Sequence, residues 1–173
     1  MHSVRNRAQG VNADVQRTLP GWVVDGLVAG LVAWPCSEVP SAVHAAWRGA
    51  AWRRTDEAAG NLLLDADEAP DLLRRVGTGL RVAVALNWGV VLSRWLDRRH
   101  PVLHGAAAGA ALFAFQYLLV GRRRPLVRAL PALPQLADQL VFGAVAGGVL
   151  SSRRRARSGD GGRWRRRGGR RPR

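Results

Sequence analysis

The chain has 173 residues, with 27 arginines, no lysine and 12 acids, and a formal net charge of +15. The charge is uneven: residues 151–173 hold eleven Arg and one Asp, so a mean hydropathy of −0.10 averages an apolar body with a polar tail and does not count against a membrane protein. A single cysteine, Cys36, excludes an intrachain disulfide framework and leaves no Cys pair for zinc or redox chemistry.

Residues 1–19 are polar, with Arg5, Arg7 and Arg17, and read as a loose leader. The first apolar run begins only near Gly21 and contains Asp25, which argues against a cleavable signal peptide. Four apolar stretches follow. The first, 21–43, is interrupted by Asp25, Pro35, Glu38 and Pro40. The second, 76–96, has Arg81 and Arg94 where long side chains can reach the headgroups, and Asn87 as its weak point. The third, 101–121, carries no formal charge and matches the roughly 20 residues that cross ~30 Å of hydrocarbon. The fourth, 133–150, is shorter and has Gln135, Asp138 and Gln139 near its start, so it either spans with local thinning or packs against the others.

The stretches lack two-residue alternation, and Ala, Leu and Gly dominate the third, so helices are expected rather than strands. The expected fold is an all-α integral membrane bundle of about four transmembrane helices over 20–150. The 48–75 link, with five Arg and six acids, reads as an exposed loop with a short surface helix, and the three prolines between Arg122 and Pro134 as an ordered connector. Residues 151–173, rich in Arg, Gly and Ser, cannot build a core and read as disordered.

The pentapeptide G-x-x-A-G occurs three times, at 26–30, 105–109 and 143–147. Glycines four apart share a helix face, and in lipid close backbone approach over small residues supplies much of the packing energy. Gly26, Gly30, Gly105, Gly109, Gly143 and Gly147 are therefore the expected packing positions, within one copy or in a homo-oligomer.

If all four stretches span, one side carries 17 Arg, from the leader, the 94–100 turn and the tail, against nine on the other. Basic flanks stay cytoplasmic, so both termini are expected inside. Trp22 and Trp95 then fall at the inner interface, and Trp47 and Tyr117 near the outer one. Tail arginines such as Arg153, Arg154, Arg155, Arg165, Arg166 and Arg167 are expected to contact anionic lipid headgroups, each contributing on the order of 1 kcal/mol. Nucleic acid would have to compete with that surface, and Trp164 alone is a thin stacking platform.

Ionisable groups inside spans are where function is sought first. Asp25 and His104 each precede the first Gly of a G-x-x-A-G copy and fall in the same half of the bilayer, where they can pair. Glu38 lies thirteen residues beyond Asp25, ~20 Å along a helix. That depth predicts a cluster with Arg81 and Asp138. Two readings stay open: these groups fix helix register in a structural or interaction protein, or they form a polar path for protons or a small cation. A soluble basic nucleic-acid-binding protein is a third class. His100 and His104 with Asp97 lack a fourth ligand for a metal site, no catalytic motif is present, and no cofactor is indicated.

The absence of Lys and Ile beside abundant Ala, Gly, Val, Leu and Arg fits the coding bias of a high-GC bacterial genome. Through residues 25–40, 104–109 and 137–147 the chain resembles small four-span bacterial membrane proteins of the YagU-like kind. The resemblance implies four helices at the inner membrane and no established activity. The Arg-rich tail and the 48–75 loop depart from it.

Overall fold

The computed structural model describes residues 19–49, 54–120 and 124–167; side-chain positions on the last helix are described to Ser158. The leader up to residue 18 and residues 168–173 lie outside the described residues. Among those described there is no strand. In chain order the helices are α1 (Gly21–Ser37), α2 (Val39–Arg48), α3 (Arg54–Gly60), α4 (Pro70–Trp95), α5 (Pro101–Phe115), α6 (Pro125–Arg128) and α7 (Ala132–Arg167), with a π-helical turn at Gln116–Val120 after α5.

Four segments are long and apolar enough to cross a membrane: Gly21–Arg48, Pro70–Trp95, Pro101–Leu119 and Ala132–Ser158. The first is α1 and α2 in sequence. Pro35 cannot donate a backbone hydrogen bond, the ladder is interrupted at Glu38, and Ser37 Oγ donates to the Trp34 carbonyl at 2.7 Å. Pro40 then sits in the first turn of α2, where its missing N–H costs nothing, and Gly49 ends that helix at φ 61°, a left-handed cap.

Two differences from the sequence reading matter. First, α7 does not stop at Leu150. It continues helically through the start of the segment expected to be disordered, because a helix already nucleated adds residues cheaply and Arg is a good helix former. Second, the short helix expected in the 48–75 link is docked rather than lying free on the surface. This helix, α3, packs on α4, with Ala58 and Asn61 both 1% exposed.

The bundle is built from two glycine seams of the same kind. On α1, a Cβ at Gly26 or Gly30 would strike the backbone of α4 at Gly89, Val90 and Ala85. On α5, Gly105 and Gly109 lie equally close to Gly143 and Gln139 of α7, and Gly147 lies against Pro101. Each seam joins antiparallel helices by backbone contact, the arrangement that pays best where lipid supplies no hydrophobic drive. A third close approach, Gly60 against Leu73 and Gly77 against Asp56, docks α3 on the lower half of α4.

The two seamed pairs are joined by α1 against α7, through Ala29, Ala33, Phe142, Ala146 and Leu150 among others. The corresponding approach between α4 and α5 is almost absent, although a short turn connects them. The start of α1, the α4–α5 turn and the distal part of α7 share one end of the bundle, the tail end. Helices α2, α3 and α6 cover the opposite end, the cap end.

Candidate functional site

The buried side of α4 repeats every four residues, as Leu73, Gly77, Arg81, Ala85 and Gly89. Arg81 falls where the α3 contact gives way to the α1 contact, so its guanidinium meets acids from both. Nη1 donates to Asp56 Oδ1 at 2.6 Å, and Nη2 lies 3.0 Å from Glu38 Oε1. The Glu38 oxygen is buried without a well-aligned hydrogen bond, as is the indole nitrogen of Trp34 nearby. Beside this network, Arg74 bridges Glu57 at 2.8 Å and Asp71 at 3.1 Å.

Asp138 gathers with Arg81 and Glu38 at this end, as the depth argument expects, but among the described residues it makes no direct ion pair with Arg81. It accepts the Ser41 backbone N–H at 3.0 Å and the Ser41 hydroxyl, while Gln135 Nε2 donates to that hydroxyl oxygen at 3.2 Å. Ser41 lies in the first turn of α2, whose N–H groups have no partner within the helix, and Glu38 before it supplies no side-chain cap. The carboxylate of α7 thus caps α2 from another part of the chain. The hydroxyl is engaged as acceptor by Gln135, so its proton is free for Asp138, which accepts at both oxygens as a carboxylate does. Asp56 was missed by the sequence reading. The signal for it was the Gly60 and Gly77 pair that brings α3 onto α4.

Above these networks lies a cavity of about 360 Å³ between α4 and α5. Trp34 of α1 and Phe142 of α7 form its floor, Trp88 and Phe115 face it from the two sides, and α3 with the Val127–Leu130 segment closes the cap end. Polar groups gather at that end: Arg81, Asp138, Gln135, and Gln139, whose Nε2 donates to Gln116 Oε1 at 3.3 Å.

At the tail end, Asp25 is 5% exposed and does not pair with His104. Arg153 Nε donates to Asp25 Oδ1 at 2.5 Å, and Arg157 Nη2 donates to the same oxygen at 3.0 Å and to the Gly21 carbonyl at 3.2 Å. Between them, Arg154 donates to the Ser93 and Leu96 carbonyls at 2.8 and 3.3 Å, satisfying the last turn of α4 where cations are favoured. Arg155 is exposed and donates to Ser151 Oγ at 3.0 Å. The side chains of Arg165, Arg166 and Arg167, in the last turn of α7, lie outside the described ones.

His104 faces outward because α5 buries its glycine side. Its Nδ1 is 3.4 Å from Asp97 Oδ2, and its ring is 6.3 Å from that of His100. The Arg99 backbone N–H, donating to Asp97 Oδ1 at 3.0 Å, holds the Asp97 carboxyl below its ordinary range, with His104 adding to the effect. Among the described residues no group of three or more His, Cys, Asp and Glu is arranged to hold a metal ion.

No protein-family model, no curated protein and no solved structure matches the chain.

Proposed function

We propose that the chain is a multi-pass protein of the bacterial cytoplasmic membrane, with both termini inside, and that its role is structural or interaction-based. Outward apolarity carries this reading. Only 17% to 39% of each spanning window is buried within the chain, and Leu31, Leu103, Phe115 and Leu119 are all more than half exposed. In water such a surface would drive association; in lipid it is the normal exterior. Exposed Trp22 and Trp95 at the tail end and Trp47 and Tyr117 at the cap end suit the two interfaces.

Orientation rests on arginine. The tail end collects Arg94, Arg98, Arg99 and the α7 arginines, whereas acids offset most of the cap-end cations. Arg153, Arg154 and Arg157 fasten the basic helix to the bundle, and exposed Arg155 is offered to anionic headgroups, the partner favoured over nucleic acid. Because the glycine seams are used within one copy, a homo-oligomer would associate through other faces. Conduction is the weaker reading: Asp25 and His104 form no relay, and the buried cluster between Asp25 and the cap-end acids is Ala, Leu and Phe.

Paired reporters test the orientation. Fluorescent protein fused after Arg173 is expected to fluoresce, and alkaline phosphatase inserted at Asp67 to be active. The reverse pattern would overturn the sidedness.

A further inference from the structure

The α4–α5 cavity is the feature that a purely structural role leaves without a purpose. Its equivalent between α1 and α7 is closed by side-chain packing, whereas here Trp34, Trp88, Phe115 and Phe142 line open space. About 360 Å³ lies within the usual range of small-molecule sites, and the combination of apolar walls with a few convergent polar groups is their usual construction.

Charge decides what such a site takes. Around its polar end, the described residues place three carboxylates, those of Glu38, Asp56 and Asp138, about the single guanidinium of Arg81. Arg124 at the rim is turned to the Leu62 carbonyl at 3.2 Å, and counting it still leaves a negative excess. Asp138 is 6% exposed, lines the cavity, and among the described residues meets no cation within ion-pair distance, its oxygens being held by Ser41. The surrounding aromatic rings offer negative π faces, which attract cations most strongly when water is excluded. An anion would meet excess carboxylate, and a neutral acyl chain would draw nothing from it.

We propose that this cavity is a binding site for a lipophilic organic cation, with the positive group set toward Asp138 and the apolar body among Trp34, Trp88, Phe115 and Phe142. The site opens where α4 and α5 fail to pack, so the ligand enters from the lipid side.

Equilibrium dialysis of the full chain in nanodiscs, corrected with empty discs, tests this with two ions of matching shape and opposite charge. Tetraphenylphosphonium is expected to bind saturably at one site per chain, and tetraphenylborate to show no saturable binding. Asp138→Asn, which keeps the size of the side chain, is expected to weaken the cation on the order of thirtyfold. Trp88→Leu should weaken it about tenfold by removing a π face, and Asp67→Asn, in the cap-end turn, should leave it unchanged. Far-UV circular dichroism and size-exclusion elution establish that each variant is folded; if Asp138→Asn is not, Trp88→Leu and the comparison of the two ions decide. Equal binding of the two ions, retention of full affinity in folded Asp138→Asn or Trp88→Leu, or a co-purified lipid that the cation cannot displace would each overturn the proposal.

Discussion

The two ends of the bundle solve the same problem, how to hold four helices together, with opposite means. At the tail end, glycine lets α5 meet α7 backbone to backbone, and three arginines within little more than one turn, Arg153, Arg154 and Arg157, fasten α7 to Asp25 and to the last carbonyls of α4. Little space remains there. At the cap end, Trp34, Trp88 and Phe142 stand between the long helices, short helices α2, α3 and α6 cover the opening, and polar networks tie them together beside the backbone contact by which Gly60 and Gly77 dock α3 on α4. Small residues close the helices into a rigid unit, whereas bulky ones hold them apart and leave room for a ligand.

Substitutions can break that contrast, beginning with the seams. Gly143→Leu places side-chain atoms against the Gly105 carbonyl, which cannot rotate away, so its cost should exceed the ~1–3 kcal/mol of ordinary overpacking. The expected result is loss of the monodisperse peak in detergent. Gly79→Ala, where no atom lies within 4 Å, should instead raise stability by about 0.5–1 kcal/mol. Next in size, Arg81→Gln strands two carboxylates that are 15% and 23% exposed, and should cost about 3 kcal/mol in a denaturant titration. A much smaller loss would mean that the cap-end network is already hydrated.

Asp25→Asn should cost less, about 1–2 kcal/mol, because its partners Arg153 and Arg157 are 36% and 52% exposed. Its clearer effect is release of α7, read as faster trypsin cleavage at Arg153–Arg157; unchanged cleavage would remove the fastening role of Asp25. The smallest effect belongs to Asp97. Its folded-state pKa is lowered, so its contribution is present above the ordinary value of 3.8 and is lost as pH falls through the depressed value. Its exposed position in the α4–α5 turn keeps that contribution small, and neutral pH leaves it unchanged. A side-chain carboxyl NMR titration of Asp97 should show a midpoint below 3.8.

The spans and the seams were legible because both are written in single-helix terms: an apolar run of sufficient length, and glycines recurring every four residues. Depth along a helix also placed Glu38 near Arg81. Which helices become neighbours is not written that way. Asp25 and His104 share a depth, yet α1 packs between α4 and α7 while His104 turns away from the α5 seam, so they do not meet. The partners of Asp25 sat in a segment judged by composition alone, although Arg153 and Arg157 have the four-residue spacing that lets two cations on one helix face share an acid. Asp56 was hidden for a similar reason: the short helix of its charge-rich link read as a surface element, and the small residues Gly60 and Gly77 that dock α3 stand too far apart in sequence to be paired by spacing. Asp138 as a cap for α2 depends on a break at Glu38 that Pro35 and Pro40 hinted at without locating the free N–H of Ser41.

All of this presumes that hydrocarbon surrounds the outward faces of the four long helices. Alkaline carbonate extraction of cell membranes followed by flotation tests it most directly. The account predicts that the full chain stays with the floated bilayer and leaves it only with detergent. Recovery of a monodisperse, detergent-free monomer in the supernatant would contradict it.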